Sequence, residues 1–129
     1  MSLPEDRRYA ETHEWCKLEA GECIVGLTQF AADQLTDITF VELPEVGSEI
    51  AKGDEACAIE SCKAAASVYA PAGGEVSAVN ETLEDQPELV NSDPYEGGWI
   101  LKMKIADASE LDGLMDAAGY EKFLEESAE

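Results

Sequence analysis

Apolar residues in this chain come in short runs closed by turn-forming residues, a spacing that restricts most of it to short strands. Around Trp15 to Leu18 and Glu22 to Leu27, apolar residues sit between charged ones, and Ala20-Gly21 separates the two runs as a hairpin turn would. Ile38 to Leu43 alternates again before Pro44 and Gly47, and Gly53-Asp54 marks a turn ahead of Glu55 to Glu60. Ala64 to Val79 reads as two more strands broken by Pro71-Ala72-Gly73-Gly74, where proline removes a ladder donor and the glycines permit a tight reversal. After a polar, proline-punctuated connection from Asn80 to Tyr95, a last strand is expected over Gly98 to Ile105.

Two stretches are helical in pattern. The Thr28 hydroxyl can accept from the free backbone donors that open a short helix ending at Leu35. Ser109 to Glu126 reads as an amphipathic helix with Leu111, Leu114, Met115, Ala118 and Phe123 on one side, weakened by Gly113 and Gly119. The expectation is one domain over residues 1–129, mostly β, a small barrel or sandwich with a short internal helix and a C-terminal helix over about 109–126 packed on it.

Twenty-nine acidic residues against eight basic ones leave a net charge of -21. Such a surface repels phosphate backbones and anionic lipid heads, so neither nucleic acid nor membrane is expected as a partner. It favours basic protein surfaces, although solubility alone would also account for it. No stretch approaches the roughly 18 to 20 apolar residues of a membrane-spanning helix. The opening Met1-Ser2-Leu3-Pro4-Glu5-Asp6 is polar, unlike a signal segment, which predicts a cytoplasmic chain or, after removal of a transit segment, one in an organelle matrix. Cys16, Cys23, Cys57 and Cys62 form no Cys-x-x-Cys pair, and His13 is the one histidine. They are read as free thiols, with neither a metal centre nor a disulfide.

Between Lys52 and Lys102 the only basic residue is Lys63, although ten acidic residues share that window. Most lysines are plain surface charge. This one stands where two strand-like runs meet, in Ile59-Glu60-Ser61-Cys62-Lys63-Ala64-Ala65-Ala66, among small neighbours that leave its stem accessible. Gly53 lies ten residues before it, Pro71 eight after and Gly74 eleven after. That spacing resembles the lipoyl and biotinyl carrier domains, whose modified lysine sits on an exposed β turn. Biotinyl domains typically flank that lysine with methionine, whereas Cys62 and Ala64 flank this one.

His13-Glu14-Trp15, Val41 to Gly47, Glu60-Ser61-Cys62-Lys63-Ala64, and Glu88 to Tyr95 with Gly98-Trp99 follow in register over nearly the whole chain. In this order and spacing the chain resembles the glycine cleavage H-protein family. The resemblance implies a barrel-sandwich hybrid and a non-enzymatic carrier, with no catalytic residue and no metal, holding lipoate as an amide on Lys63. In the family, the arm accepts an aminomethyl group from a pyridoxal-phosphate glycine decarboxylase and presents it to a folate-dependent aminomethyltransferase. Dihydrolipoyl dehydrogenase then reoxidises the arm, and a lipoate ligase or lipoyl transferase loads it. The resemblance also implies that Glu60 helps the attaching enzyme recognise the turn, that Glu14 and Ser67 lie near the arm, and that the protein is a monomer. Glu14 is equally readable as part of the core-building His13-Glu14-Trp15 segment and Trp15 is read as core, whereas for Glu60 recognition is preferred over a merely solvated strand residue.

Three positions depart from the family. Phe30 stands where many members have histidine, Ser67 where aspartate is common, and Cys62 where valine is usual. The first two remove polar groups from the region expected to shelter a cationic cargo, which leaves open a lipoyl carrier for another client, such as sulfur oxidation, or an unmodified scaffolding copy. Cys62 can exchange with the arm's disulfide only as a thiolate, a form its acidic surroundings disfavour.

Overall fold

The computed structural model describes residues 7–10, 12–19, 21–105 and 108–127. The polar opening Met1 to Asp6 and Ala20 of the first turn lie outside the described residues. Two antiparallel sheets face each other. The larger contains β1 (Arg8–Tyr9), β2 (Glu14–Glu19), β3 (Glu22–Leu27), β5 (Glu49–Ile50), β8 (Gly74–Val79) and β9 (Leu101–Ile105), in the order β1-β2-β3-β9-β8-β5. The smaller contains β4 (Ile38–Glu42), β6 (Glu55–Ser61) and β7 (Ala65–Tyr69), in the order β4-β6-β7.

Alternation decides which face of each strand meets the core. On β3, Cys23, Val25 and Leu27 point inward, and they meet Val41 of β4, Ile59 of β6, Val68 of β7, Val76 of β8 and Met103 of β9 in one apolar cluster between the sheets. Full burial of each such branched side chain contributes about 1.5–3 kcal/mol. A second, smaller cluster of Tyr9, Trp15, Ala117 and Tyr120 lies on the other side of the large sheet.

Helix α1 (Gln29–Leu35) begins at Thr28, whose side chain accepts from the Ala31 N–H, and it buries Ala32 and Leu35. Its exit is held by Asn91, whose amide donates to the carbonyls of Ala32 and Thr36 while its oxygen accepts the Ile38 N–H. One side chain thus ties the end of α1 to the start of β4. Asn91 sits on α3 (Leu89–Ser92), which with α2 (Thr82–Asp85) organises the connection that reads as irregular in sequence.

Four expectations are corrected. Pro71-Ala72-Gly73-Gly74 is no hairpin reversal: β7 pairs with β6, whereas β8 pairs with β5 and β9, so this segment, buried at Pro71 and Ala72, carries the chain from one sheet to the other. The last strand begins at Leu101, not Gly98, because the Gly98 N–H is taken by the Asp93 carbonyl and the Trp99 carbonyl by Asn80. The continuous helix over 109–126 is a 3-10 turn, Ala108–Gly113, followed by helix α4, Ala117–Ser127. Between them Met115 exchanges two backbone hydrogen bonds with Tyr9, at 2.7 and 2.8 Å, using groups that an unbroken helix would need for itself. Ala118 is consequently exposed, and Ala117 and Tyr120 carry the buried face.

The fourth correction concerns the cysteines. Cys16 and Cys23 are joined by a disulfide, leaving Cys57 and Cys62 as free thiols. Cys16 is paired with Val25 and Cys23 with Leu18, so the two cysteines are diagonal neighbours on the inner face of the β2–β3 hairpin, with Cα atoms 5.9 Å apart. A separation of seven residues says nothing of this until the register is known.

Candidate functional site

The β6–β7 hairpin carries Lys63 at its tip. Its base is closed by Gly53 and Asp54, which exchange backbone hydrogen bonds with Ala70 at 2.9 Å each. This explains the spacing of glycine, lysine and proline: they mark the foot, tip and far foot of two nearly equal legs. Gly53 has φ +85°, a left-handed conformation that glycine adopts without Cβ strain.

Ser61 builds the tip. Its N–H donates to the Ala64 carbonyl at 2.8 Å, and its hydroxyl accepts from the N–H groups of Lys63 and Ala64 at 3.3 and 3.1 Å. A serine at this place supplies the turn with acceptors. The Cys62 N–H donates across to the Asp37 carbonyl at 3.1 Å, anchoring the tip to the segment before β4. With the backbone satisfied internally, the side chains of Cys62, Lys63 and Ala64 stand in solvent. Among the described residues no carboxylate pairs with the Lys63 amine. Glu60 is exposed one strand position from the tip, between Phe40 of β4 and Ala65 of β7.

Glu14 lies at the opposite end of the hairpin. Tyr69 is six residues beyond Lys63, about 20 Å along extended chain. The Glu14 carboxylate accepts the Tyr69 N–H at 3.2 Å and the Thr12 hydroxyl, and the residue is only 1% exposed. Burial pushes its carboxyl above the ordinary range, while the bonds from Thr12, Tyr69 and its own backbone pull the other way. It lines a cavity of about 280 Å³ with Thr12, Lys52, Tyr69, Pro71 and Leu114. A buried carboxylate at the edge of a cavity with largely apolar walls suits a small cation better than a neutral guest.

Ser67 lies between the two ends. Its hydroxyl donates to the Glu55 carboxylate, so a negative group stands beside this position although residue 67 bears none. Phe30 packs on the His13 ring, with centroids 4.8 Å apart. His13 in turn meets the Tyr120 hydroxyl through Nδ1 at 2.7 Å, and burial lowers its pKa. Trp15 is core: it is 1% exposed, donates to the Pro94 carbonyl at 2.9 Å, and lies under the Arg7 guanidinium.

The structure thus joins Lys63 and Glu60 in one turn and sets Glu14 apart from them, with Ser67 intermediate. Sequence reasoning missed Thr12, Tyr69 and Glu55. Thr12 was visible two residues before Glu14, but Tyr69 and Glu55 depend on strand register, for which a single sequence carries no local sign.

Comparison with known proteins agrees with this architecture. A family model described as glycine cleavage H-protein matches residues 7–127. A glycine cleavage system H protein of Listeria monocytogenes serotype 4b is 54% identical over 125 residues, covering 97% of this chain and all of its own length. That of Aeromonas salmonicida is 50% identical, covering 96% of this chain and 97% of its own. The crystal structure of a glycine cleavage system H protein from Mycobacterium marinum superposes with a TM-score of 0.86 at 30% identity, covering 98% of this chain and 100% of that one. The chain belongs to the glycine cleavage H-protein family, the lipoyl-lysine carriers of the glycine cleavage system, which are not themselves catalytic.

Proposed function

We propose that Lys63 is the lipoyl attachment residue, with the lipoate carboxyl joined as an amide to its Nζ by a lipoate ligase or lipoyl transferase. The observation that carries this reading is the solvent-exposed lysine at the tip of the β6–β7 hairpin, unpaired among the described residues, with the turn's backbone satisfied by Ser61. An amine held this way can enter another protein's active site without unfolding its own. Bound there, lipoate supplies the disulfide chemistry of aminomethyl transfer. A tether turns encounters with glycine decarboxylase, aminomethyltransferase and dihydrolipoyl dehydrogenase into local searches at high effective concentration, so the carrier needs reach more than functional groups.

Glu14 shelters the cationic cargo, and its buried carboxylate in an apolar cleft supports that role. Ser67 contributes by holding Glu55, which offsets the missing aspartate and favours aminomethyl cargo over a client that needs no negative charge. Glu60, exposed beside the tip, is read by the attaching enzyme. The chain acts as a single lipoyl-carrier domain, monomeric and cytoplasmic. The burial of Cys16 at 1% and Cys23 at 0% exposure shields their disulfide from reductants in such a compartment.

Intact mass after incubation with a lipoate ligase, lipoate and ATP tests the assignment. One lipoyl mass is expected on the wild-type chain and none on Lys63→Ala. An added mass that survives the substitution removes Lys63 from this role.

A further inference from the structure

On the outer face of the three-stranded sheet Phe40, Glu42, Glu60 and Ala65 are exposed among the described residues, and Ala58 and Ser67 half-buried. The sheet's inner row, Val41, Ile59 and Ala66, enters the core. The adjacent outer rows are Phe40–Glu60–Ala65 and Glu42–Ala58–Ser67, read directly across the three strands. Phe40 is 46% exposed on this face, where an aromatic ring gains little from burial in its own fold. Around it stand the exposed carboxylates of Glu42 and Glu60, with small side chains at Ala58, Ala65 and Ser67 that leave the ring raised above its surroundings. None of the three strands contains a lysine, arginine or histidine, and Lys63 at the tip is the single cation of the hairpin. The rows nearest the tip therefore present one apolar projection, Phe40, within an acidic field; the sheet's other exposed aromatic, Tyr69 at 39%, lies at the far end of β7 opposite Glu55.

The length of the lysine side chain selects the occupant. Before modification, Nζ hangs on a four-carbon stem, so an enzyme that acylates it must bring its own surface against the tip and the rows that adjoin it. After modification the longer arm lets other partners work at a distance from this face. A second copy of the chain is disfavoured by the net charge of -21.

Resting on the assignment of Lys63 above, we propose that Phe40 is the anchor by which the lipoate-attaching enzyme docks on the apo protein. Its ring enters an apolar pocket on an enzyme surface rimmed by lysine or arginine, which Glu42 and Glu60 meet. Aromatic anchors in desolvated pockets carry a disproportionate share of interface affinity, while rim charges govern association rate and its salt dependence.

The test is steady-state lipoylation of the apo chain by a lipoate ligase, with lipoate and ATP in excess. Phe40→Ser is expected to lower kcat/KM at least about tenfold through KM. Val46→Ser, at a residue 61% exposed in the loop after β4, should stay within twofold. Glu42→Lys should lower kcat/KM and flatten its dependence on salt; it serves as the deciding variant if thermal melting shows that Phe40→Ser is not folded. A Phe40→Ser chain, folded and modified within twofold of wild type, overturns the proposal and leaves the Lys63 assignment standing. Wild-type chain that takes no lipoyl group at Lys63 overturns both. Sedimentation of the apo protein as a dimer that Phe40→Ser dissociates would assign the face to a second copy and overturn the docking proposal.

Discussion

The carboxylate of Glu14, on β2 of the six-stranded sheet, accepts the N–H of Tyr69, on β7 of the three-stranded sheet, at 3.2 Å. A single side chain thereby bonds the frame of the molecule to the strand that carries the lysine hairpin. Glu14 also faces the cavity, so one carboxylate has both a structural and an electrostatic part.

The raised pKa of Glu14 gives stability a definite pH dependence. The folded state binds this proton more tightly than the unfolded chain, so its contribution is complete below the ordinary carboxylate range and declines as pH rises through the folded pKa. In urea unfolding from pH 3.5 to 7, the stability of wild type minus that of Glu14→Gln should fall with increasing pH. A difference that rises with pH would contradict the burial described. Glu14→Ala removes the acceptor for two donors and should cost about 1–3 kcal/mol.

The Cys16–Cys23 disulfide closes a short loop in a hairpin already paired by backbone hydrogen bonds. Loop-closure entropy for about eight residues predicts a loss of about 2.5 kcal/mol on replacing both cysteines with serine. Alkylation of the denatured chain should label two thiols without reductant and four with it. Four labels in both samples would show that the bond is absent.

Gly26 has no room for a side chain: a Cβ there would lie 2.6 Å from the indole of Trp15, its cross-strand partner. Trp15 cannot retreat, since it is bonded to Pro94 and overlain by Arg7. Gly26→Ala should therefore destabilise the protein by about 1–3 kcal/mol through overpacking, measured by urea unfolding with tryptophan fluorescence. An unchanged midpoint would mean that the ring has an alternative seat.

Tyr120 holds α4 to the body of the protein. Its hydroxyl meets His13 Nδ1 at 2.7 Å and Thr28 Oγ1 at 2.8 Å, and its ring stacks on Tyr9. Burial pushes its phenol up to about 12. Tyr120→Phe keeps the stacking and loses both bonds, so a loss of about 1–3 kcal/mol is expected. Spectrophotometric titration of the folded wild type should show a tyrosine ionising near that value, and the substitution should remove that step. A titration curve unchanged by the substitution would place the high-pKa phenol elsewhere.

Much of this protein can be read in one dimension because it is set by neighbours in sequence. Alternation marks β2, β3, β4 and β6; Thr28 marks the start of α1; and the glycine, lysine and proline spacing marks the lysine hairpin, whose two legs and turn are contiguous. The family resemblance rests on the same contiguous words. What required the folded chain is all that depends on pairing between distant strands. The Cys16–Cys23 bond needs the β2–β3 register, Glu55 beside Ser67 needs that of β6 and β7, and the broken C-terminal helix needs Tyr9, over a hundred residues earlier, to claim the backbone of Met115. Local pattern determines which face of an element is apolar. Which residue lies opposite it is decided by long-range hydrogen bonding and packing, where a slip of one position exchanges every neighbour.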